Sequence, residues 1–245
     1  MRLAFIGNGR MGRIVIAQAR AAGYEVGAVL SSADARAGPE GLAAALSGHD
    51  AAIDFTAADA VLAHVAACVR AGVPLVEGTT GWQEQEAEAR RLVEQGGGGG
   101  GGGGAMVYGA NFSIGVNLFY RLVDRAGELF RGMGYDAYIE EAHHAKKRDA
   151  PSGTALELRR LLAARLGRDI PVASTRAGHI LGVHRVGLDS AADDVVVTHT
   201  TRSRESFGAG ALAAARWLAG SGRRGAYAFG DVLDQILEAE RKGKP

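Results

Sequence analysis

Two stretches of the chain carry side chains in patterns that do chemistry. One reads HHAKKRDAPSGTA, His143 to Ala155. Two histidines, two lysines, an arginine and an aspartate lie side by side, and Pro151, Ser152, Gly153 and Thr154 follow. Histidine titrates near neutral pH and is the side chain best poised to give up a proton there. Ser152, Gly153 and Thr154 precede a helical sequence. The first N–H groups of a helix lack intrahelical partners and face the positive end of the dipole, so they hold anions. The block therefore reads as a proton-donating, anion-binding site. In isolation it is also what a solvated basic loop looks like, and the rest of the chain must decide.

The other stretch is Gly7, Asn8, Gly9, Arg10, Met11, Gly12, a G-x-G-x-x-G pattern between the apolar run RLAFI and the helical RIVIAQARAAG. The first glycine permits the tight turn, the second lets a pyrophosphate approach the backbone, and the third lets helix and strand pack closely. A carboxylate for the adenosine ribose is expected about 20 residues on. Ser31 and Ser32 stand there instead, with Asp34 past the expected place. Serines do not repel a 2′-phosphate, and Arg10 and Arg36 supply positive charge. The cofactor expectation is NADPH or NADH.

These residues need a scaffold. Apolar strand-like runs, RLAFI, YEVGAVL, AAIDFT, VPLVEGTTG and AMVYGANFS, alternate with helical ones in the first half. That grammar implies a Rossmann-like parallel sheet. Nine glycines, Gly96 to Gly104, interrupt it where a connection is expected. They lack the spacing of a phosphate loop and read as a surface insertion without function. After Ser113 the strands cluster. YDAYIEEAHH, AGHILGVHRVGL and DDVVVTHTT read as extended, between the helices IGVNLFYRLVDRAGELF and TALELRRLLAARLG, the latter with a Thr154–Glu157 capping pattern. The fold class expected is α/β, with a second α+β domain holding an open mixed or antiparallel sheet. Residues 1–111 form the dinucleotide-binding domain, completed by a C-terminal helix at 229–245, and 112–228 form the domain for substrate binding and oligomerisation.

Composition narrows the function classes. Lys and Arg number 28 against 27 for Asp and Glu, a net charge of +1. No global field points to nucleic acid or a membrane surface. No apolar run reaches the roughly 18 residues of a membrane span. The opening stretch carries no signal-peptide cleavage pattern, and a lone Cys68 reads as a small buried thiol. The expectation is a cytoplasmic protein. His179, His184 and His199 show no metal-ligand spacing, and no metal is expected.

Seven segments, GNGRMG, DFT, EGTTGW, GANFSIGVN, EAHHAKKRDAPSGTA, RAGHILGVH and DVL, occur in the order seen in the dihydrodipicolinate reductase family, which the chain resembles from Arg2 to about Leu233. The resemblance implies NAD(P)H-dependent reduction of 4-hydroxy-tetrahydrodipicolinate, a small cyclic dicarboxylate, in the diaminopimelate route to lysine. It implies His143 as proton donor, Lys147 as assisting donor, and His144 as a substrate contact. Gly153 and Thr154, with Ser152, hold a substrate carboxylate. Phe55 and Thr56 line the cofactor groove, and Gly78, Thr79, Thr80, Gly109, Ala110, Asn111 and Phe112 serve the nicotinamide side. The resemblance also implies a homotetramer and closure of a cleft on the substrate. Two rivals share the scaffold: a related amino-acid dehydrogenase, which needs no dicarboxylate clamp, and a nucleotide sensor without turnover.

Overall fold

The computed structural model describes residues 1–31, 34, 38–96 and 103–242; Ser32, Arg36 and residues 97–102 of the glycine run lie outside them. The chain begins with β1 (Arg2–Ile6), α1 (Arg10–Ala21), β2 (Glu25–Leu30), α2 (Gly38–Leu46), β3 (Ala51–Asp54), α3 (Val61–Ala71), β4 (Leu75–Glu77), α4 (Glu86–Gln95) and β5 (Ala105–Tyr108). It continues with α5 (Ile114–Phe130), β6 (Asp136–His143), α6 (Gly153–Leu166), β7 (Val172–Arg176), β8 (Val183–Asp189) and β9 (Asp194–Thr200), and ends with α7 (Glu205–Leu218), β10 (Gly225–Ala228) and α8 (Phe229–Lys242). It divides into two compact units, Met1–Ser113 with Glu205–Pro245, and Ile114–Arg204.

The first unit is a parallel sheet in the order β10-β5-β4-β3-β1-β2. Its short central strands are apolar, as strands buried on both faces tend to be, except for Asp54 at the end of β3 and Glu77 at the end of β4. Ala4, Ile6, Ala52, Leu75 and Met106 pack under Leu42 and Leu46 of α2, Val65 and Cys68 of α3 and Val93 of α4. Helix α7 lies against β3, β4 and β5, with α1 and α8 beside it. Cys68 is buried, as expected.

The second unit is a four-stranded mixed sheet, β7-β6-β8-β9, with β6 parallel to β7 and antiparallel to β8. Strand β6 alternates inward and outward, and Ala137 and Ile139 meet Phe119 and Val123 of α5 and Leu158 and Leu162 of α6. Helix α6 stops at Gly167 in the left-handed conformation, as its sequence predicts.

Two expectations need correction. The sequence reading kept 112–228 together, but the chain returns to the first unit at Glu205. The reason is β10, too short to signal itself, which pairs in register with β5, Gly225 opposite Ala105 through Ala228 opposite Tyr108. The cap of α6 is Ser152, not Thr154. Ser152 is extended and its Oγ accepts from the Ala155 N–H, whereas Glu157 is paired with Arg160. Helix α6 therefore begins at Gly153. Strand β7 was not anticipated either, because its largely exposed side chains show no apolar alternation.

The glycine motif is shaped by contact. A Cβ on Gly12 would stand 2.0 Å from the Gly7 carbonyl oxygen, and one on Gly7 (φ +99) 2.5 Å from the Phe55 carbonyl. A Cβ on Gly9 would meet nothing within 4 Å. Gly12→Ala should therefore destabilise by about 2 kcal/mol or more, lowering Tm by about 4–8 °C in a chain of this size. Gly9→Ala should leave Tm within about 2 °C of the parent, because the site has room. Calorimetry on both variants checks the contrast.

Candidate active site

Glu141 and His143 are two residues apart on β6, so both side chains fall on its buried face. Pairing brings partners from either side. Arg176 of β7 stands opposite His143, and His184 of β8 opposite Glu141. The Arg176 guanidinium grips the Glu141 carboxylate with both nitrogens, Nη2 to Oε1 at 2.7 Å and Nη1 to Oε2 at 2.9 Å. His143 Nδ1–H donates to Oε2 at 2.5 Å, and the Ser152 N–H to Oε1 at 3.3 Å. Ser152 Oγ lies 3.1 Å from His184 Nε2, and the two imidazoles meet edge to face with centroids 5.1 Å apart.

Burial alone would raise the Glu141 carboxyl, but hydrogen bonds from Arg176, Ser174 and His143 outweigh it and hold it at about 2. It is an anion at any pH where the protein works. Burial is the main force lowering His143 below the usual imidazole value; Glu141 opposes it, and Lys147 and Arg176 add to it. His184 is pushed down to about 4, chiefly by burial and next by His143. With Nδ1–H committed to Glu141, His143 has Nε2 left over, close to Gly182, where an added Cβ would come within 3.1 Å of it. That nitrogen is the one able to deliver a proton.

The rest of the block surrounds this ring. Lys147 is partly exposed, with Nζ 2.8 Å from the Asp149 carboxylate, whose own backbone carbonyl accepts from Arg176. Lys146 and Arg148 are exposed, and His144, just past the end of β6, is half-buried. At the start of α6, Gly153 is exposed with open space around its Cα. The Thr154 hydroxyl bonds Tyr120 of α5. The first-turn N–H groups of Gly153 and Thr154 have no carbonyl within the helix to reach.

The structure thus brings together His143, Lys147 and the Ser152–Thr154 turn. Sequence reasoning missed Glu141, Arg176 and His184. Glu141 had a signal: a carboxylate two positions before a histidine on an alternating strand shares its face. Arg176 and His184 had none, since only strand register places them. Glu141, His143 and His184 offer ligand atoms within 4.8 Å of one another, which could suit a metal ion. Arg176 already neutralises the carboxylate and occupies both its oxygens, which argues against a cation there.

In the first unit, Gly9 caps α1 with no side-chain hydrogen bond, and Asn8, Gly9 and Arg10 are exposed around that N-terminus; Met11 is half-buried. An uncapped helix start, room over Gly9 and close packing at Gly12 fit a dinucleotide phosphate. The missing acid after β2 is a correction. Asp34 folds back so that its carboxylate accepts from the Ser31 N–H at 2.6 Å and hydroxyl at 2.7 Å. A residue three positions too late in sequence thereby puts negative charge at the strand end.

The remaining cofactor candidates divide by exposure. Thr56, Thr80 and Ala110 are exposed at the carboxyl edge of the sheet, and Gly78, Gly109 and Asn111 are half-buried. Gly78 has no room for a side chain, because the Phe55 ring would lie 2.2 Å from its Cβ. Phe112 is buried against Phe55 and Phe229, and Thr79 is buried with its polar groups bonded to neighbouring residues. Phe112 and Thr79 therefore shape the edge from beneath.

Comparison with known proteins matches the chain in two parts. A family profile described as dihydrodipicolinate reductase, N-terminus, matches residues 1–97, and one described as dihydrodipicolinate reductase, C-terminus, matches residues 115–233. The chain is 35% identical, over 275 aligned positions, to a 4-hydroxy-tetrahydrodipicolinate reductase of Cupriavidus necator, spanning 95% of this chain and 99% of that protein. It is 38% identical over 210 positions to its counterpart in Chromobacterium violaceum, covering 78% and 75%. Among solved structures, a dipicolinate-bound dihydrodipicolinate reductase from Paenisporosarcina sp. TG-14 has the same fold, with a TM-score of 0.75 at 20% identity over 95% of this chain and 99% of that one.

The buried cluster predicts an acid sensitivity. His184 is held near 4 in the fold, against about 6.5 unfolded, so its contribution is lost as pH falls from about 6.5 to 4. Glu141, held near 2 against about 4.3 unfolded, adds a further loss as pH falls below about 4.3. His184→Asn should flatten the dependence of Tm on pH between about 6.5 and 4.5. An unchanged slope in a calorimetric pH series would contradict the assignment.

Proposed function

The chain belongs to the dihydrodipicolinate reductase family, and on that premise we propose how its two units divide the work. Its reaction is the NAD(P)H-dependent reduction of 4-hydroxy-tetrahydrodipicolinate to tetrahydrodipicolinate, in the diaminopimelate route of lysine biosynthesis. The first unit holds the cofactor. Gly9 and the N-terminus of α1, with Gly7, Asn8, Arg10, Met11 and Gly12, would hold its pyrophosphate, and Ser31 with Asp34 would meet the adenosine ribose. Gly78, Thr80, Gly109, Ala110 and Asn111 edge the nicotinamide side, with Phe55, Thr56, Thr79 and Phe112 shaping it. When bound, the reduced nicotinamide supplies a hydride.

The second unit holds the cyclic dicarboxylate and manages protons. One substrate carboxylate is received by the Gly153 and Thr154 N–H groups beside Ser152, at the positive end of α6. His144 contacts the substrate, and the Lys147 ammonium stabilises negative charge as it builds. His143 delivers the proton that neutralises the reduced system. Because Glu141 holds Nδ1–H, the transferable proton is on Nε2 of the imidazolium. Burial disfavours that cation in the free protein; a dicarboxylate bound alongside favours it. The observation that carries this reading is the Glu141–His143 pair, locked by Arg176 and placed beside the start of α6.

The protein would act in the cytoplasm, and among the described residues no helix is long and apolar enough to cross a membrane. A homotetramer built through the second sheet is consistent with Val195 and Val196 standing exposed on β9.

A coupled assay tests the function. Dihydrodipicolinate synthase generates the unstable substrate from pyruvate and aspartate semialdehyde, and nicotinamide absorbance is followed with NADH and with NADPH. Oxidation that depends on the synthase is expected; its absence in folded, cofactor-binding protein would favour the sensor or related-dehydrogenase reading. In that assay His143→Gln should lower turnover by about 100-fold or more while NADH affinity stays near the parent value. Asp34→Asn should raise the ratio of kcat/KM for NADPH over NADH by about threefold to tenfold, by removing a charge that repels the 2′-phosphate. An unchanged ratio would place Asp34 outside the ribose site.

A further inference from the structure

Beneath the carboxyl edge of the first sheet lies a second charged cluster that the proposed reaction does not use. Asp54 ends β3, Glu77 ends β4, and the two are register partners on adjacent parallel strands, each with no exposure to solvent. Asp54 Oδ2 accepts from His64 Nδ1 of α3 at 2.6 Å. Glu77 Oε1 accepts the Thr79 N–H at 2.7 Å. The two remaining oxygens, Asp54 Oδ1 and Glu77 Oε2, meet no N–H or O–H donor among the described residues. Two buried acceptors side by side are costly as anions, whereas one proton between them satisfies both.

The groups facing the pair offer little other relief. Helix α3 contributes His64 and the Cys68 thiol, and the turn contributes Thr79. Thr56 Oγ1 stands 3.4 Å from His64 Nδ1, already engaged by Asp54. Burial, and next the Asp54 charge, push the Glu77 carboxyl well above its ordinary range, against the hydrogen bonds from Thr79.

The cluster is wired to the turn above it. Thr79 donates its N–H to Glu77, its Oγ1 accepts the Thr56 N–H at 3.1 Å, and its carbonyl accepts the Trp82 indole N–H at 2.9 Å. One residue thus ties the loops after β3 and β4 to a buried acid.

We propose that Asp54 and Glu77 share a single proton, and that this carboxyl pair, braced by His64, is the positioning device that sets the Gly78–Thr80 turn for the nicotinamide end of the cofactor. The second half of this rests on the cofactor reading of the first unit. Glu77 acts through Thr79 and is a positioning residue, not a catalytic one.

The test uses the full chain at neutral pH and does not depend on turnover. Infrared spectroscopy of the parent should show the carbonyl stretch of a protonated carboxyl, sensitive to deuterium exchange and lost in Glu77→Gln. NADH affinity, followed by fluorescence, should stay within about twofold in Glu77→Gln, whose amide can donate to Asp54 and accept from Thr79. It should weaken by about tenfold in Glu77→Leu, which orphans the Thr79 N–H, while circular dichroism is unchanged. If the leucine variant does not fold, Glu77→Asp carries the affinity test, since a shorter acid is drawn back from Thr79; about fivefold weakening is expected. Absence of the protonated band, or parent-like NADH affinity in the folded leucine or aspartate variant, overturns the proposal. A parent that shows the band and binds NADH yet fails the coupled assay would instead overturn the substrate reading.

Discussion

Glu141 carries a full charge out of reach of solvent, and its surroundings in the second unit answer that charge. Arg176 supplies a bidentate counter-charge from β7, His143 an N–H from two residues along the same strand, and Ser152 an N–H from the start of α6. Removing Arg176 would leave an uncompensated buried carboxylate, which is far more costly than a missing surface ion pair, and losing either N–H would cost it a buried donor. The arrangement therefore has little freedom. It fixes the imidazole tautomer, leaves Nε2 uncommitted, and ties His143 to the start of α6 through Glu141.

The first unit solves a different problem, the close approach of backbone to ligand. Gly7 and Gly12 are needed because neighbouring carbonyls stand where their side chains would be, whereas the space over Gly9 is open. The same edge is supported from beneath by buried side chains: Phe55 against Gly78, Phe112 against Phe229, and the Asp54–Glu77 pair below Thr79. Exposed backbone at the edge and polar or aromatic props below it divide binding from positioning within one turn of chain.

Legibility in the sequence followed the range of the interactions. The glycine turn, the helix start at Gly153 and the histidine at the end of β6 are local patterns, and each lies where the spacing puts it. The cap of α6 lies two residues earlier than the sequence suggests, because Thr154 and Glu157 match the capping-box spacing while long-range contacts with Glu141 and His184 hold Ser152. Asp34 was set aside for being too far along, since spacing alone does not show a loop folding back to Ser31. Thr79 and Phe112 lie in motifs legible in the sequence, but their burial beneath the sheet edge is not.

By itself the sequence determined the two kinds of sheet, the glycine turn, and the adjacency of His143, Lys147 and the Ser152–Thr154 turn, because these depend on residues near one another along the chain. Tertiary structure alone decided that β10 completes the first sheet, that Arg176 and His184 flank Glu141, and that Asp54 faces Glu77. The physical reason is register. A strand's partners are chosen by the packing of a whole sheet, and a shift of one residue would turn each of these side chains to the opposite face.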